Sequence, residues 1–152
     1  MLNLEAIELI KQLKARYFRG VDVCDIELLE SVFTKDAEID FYSPTYEFHI
    51  KGWVEAESFY LNSFTNTRFG FHGGHTPEIT VAEDGNSATG LWYLYDTFIN
   101  LETQEYLTGS AIYEDTYVKH DGRWLIAKTG YKRRLEMIEP LGDRKITSSP
   151  IN

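Results

Sequence analysis

Asp84-Gly85-Asn86, followed by Ser87-Ala88-Thr89-Gly90-Leu91-Trp92-Tyr93-Leu94-Tyr95-Asp96-Thr97-Phe98-Ile99-Asn100, is the stretch that decides the fold. The first three residues carry the chemistry of a hairpin turn. The run after them reads as one long strand. Its even positions, Ala88, Gly90, Trp92, Leu94, Asp96 and Phe98, share a face. Upstream lies a shorter strand over 79–82. Downstream, a loop around Glu102-Thr103-Gln104 leads to a strand over 106–119, Asp121-Gly122 turns the chain, and 123–134 forms the last strand. This is an antiparallel meander.

Before Thr67 the pattern is mostly helical. Asn3 can cap a helix over 3–19 whose stripe is Ile7, Ile10, Leu13 and Tyr17, with Gly20 as its stop. Asp25 can cap a short second helix bearing Ile26, Leu28, Leu29 and Phe33. A strand follows over 37–42, then a turn at Ser43-Pro44-Thr45 and a third helix over 53–64 with Trp53, Phe59, Tyr60 and Phe64. Helices first and a meander afterwards make an α+β fold, a curved sheet wrapped around helices and enclosing a pocket. From Glu139 onward the chain is polar, holds Pro140 and Pro150, and is expected to be irregular.

Composition narrows the function. The length of 152 residues fits one domain with a real core. Ten Tyr, nine Phe and three Trp exceed what that core needs, which suits a ring-lined cavity or a broad subunit interface. A formal charge of −9 argues against nucleic acid or an anionic membrane as partner. The single cysteine, Cys24, excludes an internal disulfide and reads as a small buried residue. No signal peptide pattern and no apolar run of membrane-spanning length is visible, so a cytoplasmic protein is expected.

The densest chemistry sits in Phe71-His72-Gly73-Gly74-His75-Thr76-Pro77-Glu78-Ile79. Histidine is the side chain most easily poised for proton transfer near neutral pH, and Pro77 is expected at a strand's start or edge. Asp96 shares a strand face with apolar residues and so needs a partner or a shifted pKa. Arg133 ends the odd row Arg123, Leu125, Ala127, Thr129, Tyr131 and can supply a fixed positive charge to the same interior. Tyr17 continues the buried stripe of the first helix, and Asp22 can turn back toward the pocket if that helix ends near Gly20. Each residue also has a plainer reading. His72 and His75 can be hydrogen-bonded core or turn residues, Asp22 a cap, Tyr17 core, and Asp96 with Arg133 a structural ion pair. The H-x-x-H spacing makes a poor metal site, since positions i and i+3 of a strand face opposite ways and no cysteine or third histidine is near. Neither a G-x-S-x-G elbow nor a glycine-rich phosphate loop occurs.

Several stretches together resemble the SnoaL-like group of the nuclear-transport-factor-2-like superfamily. They are Ile10 through Arg19 followed by Asp22, His72 to Ile79, Ala88 to Asp96, Tyr113 to Tyr117, and Asp121 to Trp124 with Thr129 to Arg133. Within the group the chain is most similar to the bile-acid 7α-dehydratases, and more distantly to scytalone dehydratase and hexachlorocyclohexane dehydrochlorinase. The resemblance covers about residues 5–135 and is weak over 43–67 and 100–108. It implies a cone-shaped α+β barrel with a deep apolar pocket, a domain over 1–138 and a tail over 139–152. It also implies a homo-oligomer, a trimer by analogy, with a dimer as the alternative.

In the dehydratase pattern the working residues are a tyrosine, an aspartate, a histidine, a second aspartate and an arginine, and they fall on Tyr17, Asp22, His72, Asp96 and Arg133. The implied activity is a cofactor-independent dehydratase (a lyase) acting on a hydroxylated keto steroid or a similar polycyclic or polyketide substrate, with no metal. His75 receives no catalytic role. Two alternatives stand beside it: a ketosteroid-type isomerase, and a non-catalytic module for small-molecule binding or assembly. An open pocket with His72 near Asp22 favours an enzyme; a pocket filled by its aromatics favours the module.

Overall fold

The computed structural model describes residues 1–150. Its helices are α1 (Leu4–Asp22), α2 (Ile26–Val32) and α3 (Trp53–Ser63). Its strands are β1 (Phe33–Ser43), β2 (Tyr46–Lys51), β3 (Arg68–Val81), β4 (Ser87–Asn100), β5 (Glu105–His120) and β6 (Arg123–Pro140). The six strands form one mixed sheet in the order β2-β1-β6-β5-β4-β3, with β1 and β6 parallel and every other pair antiparallel. The sheet curves around the helices, and the expected α+β fold is what the chain adopts. Among the described residues no helix is long and apolar enough to cross a membrane.

Helix α1 starts as expected, with the Asn3 side chain accepting from the Ala6 amide. It does not stop at Gly20. It runs to Asp22 and ends with Cys24 in the left-handed region (φ 55°), the Cys24 amide bonding Val21 O and the Asp25 amide bonding Gly20 O. That paired closure is a Schellman motif. Gly20 serves packing instead, because a Cβ there would lie 2.9 Å from Leu29 Cγ of α2. Cys24 is only half-buried, not the buried filler expected. Asp25 caps α2 by accepting from the Leu28 amide.

Strand boundaries differ from expectation in four places. β1 begins at Phe33, which was expected on the second helix, rather than at 37. β2 was not anticipated; it pairs with β1 across the Ser43–Tyr46 turn. β6 continues to Pro140, past the expected strand end at 134 and into the stretch from Glu139 expected to be irregular. Most consequential, β3 begins at Arg68 rather than 79, so the two histidines lie within a strand. Pro77 therefore sits inside that strand, where the pairing steps from His75↔Tyr93 to Glu78↔Leu91. One extra residue on β3 makes this a bulge, with Thr76 at φ 45°, and a bulge tolerates the missing proline N–H.

The bulge also reverses side-chain parity. His72 faces inward before it, and Ile79 and Val81 pack against the core after it. A second bulge, between Thr116↔Lys128 and Tyr117↔Ile126, corrects the row drawn for the last strand. Thr129, Tyr131 and Arg133 face the interior, but ahead of the bulge Trp124 and Ile126 are the buried residues and Arg123 is exposed. On β4 the expected parity holds, with Ala88, Gly90, Trp92, Leu94 and Asp96 all buried.

Candidate active site

Two elements meet at His72. Its strand lies along α1, and the fit depends on Gly74, because a Cβ there would come within 2.0 Å of the Phe18 ring. With no side chain in the way, Phe18 stacks on the His72 imidazole (centroids 6.3 Å, 17°), and Phe64 meets the same imidazole edge-on at 5.8 Å. The Schellman closure leaves Asp22 as the last residue of α1, facing β3. His72 Nδ1 lies 2.6 Å from Asp22 Oδ1, and the His72 backbone amide donates to Oδ2 at 3.1 Å. A carboxylate can only accept, so Nδ1 carries the proton and Nε2 is the basic nitrogen. Nε2 makes no hydrogen bond among the described residues, and His72 lines an interior cavity.

That cavity measures about 320 Å³ and is walled chiefly by rings, among them Phe41, Phe48, Phe59, Phe64 and Phe98. The aromatics leave it open. Tyr17 lines it as well. Its hydroxyl lies 3.4 Å from Tyr113 Oη and receives a bond from Tyr60 Oη at 3.4 Å. These contacts are longer than the about 2.5–3.0 Å of a well-made O–H···O bond, so the three phenols do not consume one another's hydrogen-bonding capacity. Burial holds the Tyr17, Tyr60 and Tyr113 hydroxyls well above the ordinary phenol pKa, which keeps all three as donors.

Asp96 and Arg133 also line this cavity, as strand parity predicts. The pair is bidentate. Arg133 Nη1 donates to Asp96 Oδ1, Nη2 donates to Oδ2 at 2.7 Å, and Nε donates to Tyr46 Oη at 2.8 Å. Arg133 reaches Asp96 by crossing β5 at Gly109, the residue paired with Asp96, where a Cβ would lie 2.8 Å from Nη1. Burial opposes the Arg133 charge, but the Asp96 hydrogen bonds and charge, with Tyr131 and Tyr46, outweigh it and raise the pKa. All five expected residues thus border one interior: Tyr17, His72, Asp96 and Arg133 line the cavity, and Asp22 stands behind His72. His75 does not join them. It lies on the outer face, stacked on Tyr93 at 5.8 Å. Among the described residues no group of three or more His, Cys, Asp or Glu side chains is placed to hold a metal ion.

Sequence reading missed the other phenols and a buried ion pair beneath them. Lys14 Nζ lies 2.7 Å from Asp115 Oδ2, both side chains fully buried, and 3.8 Å from the centre of the Tyr113 ring. Asp115 also accepts from Tyr117 Oη and Thr129 Oγ1, each at 2.6 Å. Burial lowers the Lys14 pKa, and Asp115 opposes the shift. Counting faces along β5 as was done along β4 would have placed Tyr113, Asp115 and Tyr117 inside.

Known proteins share this architecture. Hexachlorocyclohexane dehydrochlorinase type 3 from Novosphingobium barchaimii superposes with a TM-score of 0.78 at 19% identity, over 95% of this chain and 96% of that one. A scytalone dehydratase candidate from Novosphingobium aromaticivorans gives 0.77 at 19%, over 97% and 93%. A protein of unknown function from Mycobacterium tuberculosis gives 0.70 at 26%, over 84% and 70%. The first two likenesses, at that identity, are likenesses of fold. The family model of the SnoaL-like domain matches residues 3–130, and the chain belongs to that family.

Proposed function

We propose that the protein is a cofactor-independent dehydratase that removes water from a hydroxylated keto steroid or a similar polycyclic or polyketide substrate. The observation that carries this reading is the His72–Asp22 pair, with Nδ1 held at 2.6 Å and Nε2 left on an apolar cavity wall. His72 Nε2 takes a proton from a carbon made acidic by a neighbouring carbonyl. Asp22 fixes the tautomer and stabilises the imidazolium that forms. The carbonyl oxygen gains enolate charge beside Tyr17, whose hydroxyl is a donor grouped with those of Tyr60 and Tyr113 on the cavity lining. The electron pair of the broken C–H bond becomes the new C=C bond. The hydroxyl leaves with its C–O pair, receives the proton that the His72 imidazolium carries, and departs as water, which returns His72 to its neutral form. Asp96 and Arg133 orient the substrate and assist that departure. General acid–base help is worth about 10²–10⁴-fold and an oxyanion donor about 10²–10³-fold, enough for an activated hydroxy-ketone.

The steroid or polyketide class rests on the motif likeness to bile-acid dehydratases and on an apolar cavity of ring-system size. The fold neighbours bearing dehydrochlorinase and scytalone dehydratase names support a lyase in general. We further infer a homo-oligomer, a trimer by analogy. The outer sheet face supports it, exposing Phe71, Leu91, Tyr93, Tyr95, Leu135 and Met137 together. Sedimentation equilibrium tests this, and a monomer at all concentrations refutes it.

The test of function is a mass-spectrometric screen of hydroxylated 3-oxo steroids and polyketides for loss of water. His72→Ala should cut the turnover found by at least about 10². Proton relocation with no loss of water would identify an isomerase. Tight binding without turnover across the panel would identify a binding module.

A further inference from the structure

A second set of phenols lines the cavity, apart from Tyr17, Tyr60 and Tyr113. Tyr46 on β2 and Tyr131 on β6 are half-buried lining residues, and their hydroxyl oxygens lie 2.7 Å apart. Tyr46 Oη also accepts from Arg133 Nε at 2.8 Å. Tyr131 Oη has no other partner among the described residues. Two phenols bring two O–H groups, and the bond between them uses one. One O–H is therefore left over, whichever way that bond runs. Arg133 decides the direction. Its charged N–H donates into Tyr46 Oη, which polarises the Tyr46 O–H and makes it the better donor to Tyr131. The spare O–H then belongs to Tyr131, at the end of a chain that runs Asp96, Arg133, Tyr46, Tyr131.

From this we infer that Tyr131 is a second oxygen-binding pole of the cavity, donating its spare O–H to a neutral acceptor of the ligand such as a ketone oxygen, with Tyr46 as the residue that positions and polarises it. The inference goes beyond the dehydratase reading, because it concerns recognition and holds equally for an isomerase or a binding module. Burial holds both phenols above their ordinary pKa, so the pole is an uncharged donor. The Arg133 charge is matched by the bidentate Asp96. A further carboxylate, Glu136, lies 3.8 Å from Arg133 Nε, held by the Ser43 and Thr45 hydroxyls, and it disfavours an anionic ligand group beside the pair. The Tyr131 ring is fixed by its neighbours, stacked on Phe41 at 4.6 Å and edge-on to Tyr113 at 5.1 Å. Tyr113 also meets the Tyr17 ring edge-on at 6.1 Å. The two poles thus flank one ring. A ligand whose carbonyl sits at Tyr17 places a second oxygen at Tyr131, with its apolar skeleton across Tyr113.

The probe is 2-adamantanone, an apolar cage ketone that cannot enolise, so its binding is independent of any turnover. Infrared difference spectra of the bound carbonyl read the hydrogen bonds it accepts, since a stronger donor lowers the C=O stretching frequency. The unaltered protein should show a lowered band for each pole. Tyr131→Phe keeps the ring and its stacking and should remove one band. The band that remains should respond to Tyr17→Phe, and it reports an intact cavity in Tyr131→Phe. Tyr46→Phe should keep both bands but raise the frequency of the Tyr131-dependent one, because that donor loses the polarisation relayed from Arg133. A merely structural role for Tyr46 would leave that frequency where it was. Spectra that Tyr131→Phe leaves unchanged overturn the pole. Loss of the band in Tyr46→Phe with its retention in Tyr131→Phe overturns the direction of the chain. Because the probe undergoes no elimination, a substrate screen without turnover counts against the dehydratase reading alone, and an unresponsive band counts against the pole alone.

Discussion

Replacing Asp22 by Asn tests the dyad at its most specific point. In the protein one carboxylate serves two donors, the imidazole Nδ1–H at 2.6 Å and the His72 backbone amide at 3.1 Å. An asparagine has one oxygen and one NH₂ for those two positions. If its oxygen takes the backbone amide, its NH₂ faces Nδ1, the ring proton moves to Nε2, and the basic nitrogen is blocked. If it is turned to accept from Nδ1–H, its NH₂ meets the backbone N–H and leaves donors unpaired, at about 1–3 kcal/mol. The productive arrangement is thus depleted roughly 5- to 150-fold. Loss of the charge that stabilises the imidazolium adds to this, for a total fall in turnover of about 10²–10⁴. Rapid-quench single-turnover kinetics with the substrate found by the screen would measure it, with circular dichroism to confirm folding. Substrate affinity should change little, because Asp22 stands behind His72 and does not line the cavity. A folded Asp22→Asn protein with turnover within about fivefold of the parent would refute the assigned tautomer and with it the dyad.

Other outcomes follow from the same geometry. Tyr17→Phe should slow turnover by about 10–100-fold, less than the loss of a lone oxyanion donor, because the Tyr60 and Tyr113 hydroxyls remain at the same spot; an unchanged kcat removes Tyr17 from the chemistry. Asp115→Asn should destabilise the fold by about 3–5 kcal/mol in urea, and more than Lys14→Met, since Asp115 is the acceptor for Lys14, Tyr117 and Thr129 at once. Lys14→Met with Asp115→Leu should cost less than the two single changes together, and strict additivity would deny the coupling. Alkaline pH should unfold the protein steeply. Burial raises the Tyr17, Tyr60, Tyr113 and Tyr131 pKa values in the folded state only, so above about pH 10 the unfolded chain holds fewer protons and stability falls. The slope should approach about 1.4 kcal/mol per pH unit for each such phenol, read from urea midpoints at about pH 9 and about pH 11. Turnover should survive exhaustive chelation; loss on chelation with recovery on adding zinc would displace the acid–base mechanism.

Where the sequence was legible, one physical signal dominated. Alternation along β4 placed Asp96 inside, because an unbroken antiparallel strand keeps parity over its whole length. Motif likeness, more than periodicity, paired Asp22 with His72. The backbone route was misjudged: Gly20 invited a stop, yet Leu29 needed the space above it, and Cys24 took the left-handed closing position usually given to glycine. The start of β3 was hidden because Gly70, Gly73, Gly74 and Pro77 depress strand character. Tertiary packing overrides that, since Gly74 is where Phe18 sits. Parity failed in the first half of β6 because a bulge leaves no mark in a single sequence.

The parallel pairing of β1 with β6 has a kinetic consequence. Ile39 lies beside Thr129, ninety residues later, and no short turn can bring them together. Loop closure over that span precedes any reward from the contact, so folding should be slow for a chain of this size. On the ribosome, β1 and β2 wait with an open edge until almost the entire chain has emerged. The buried cluster next to the cavity's Tyr113, where Thr129 and Asp115 meet Lys14, forms only when the last strand docks. Chains cut short before β6 should therefore aggregate rather than persist as partial folds, and the ligand pocket should be among the last parts of the molecule to exist.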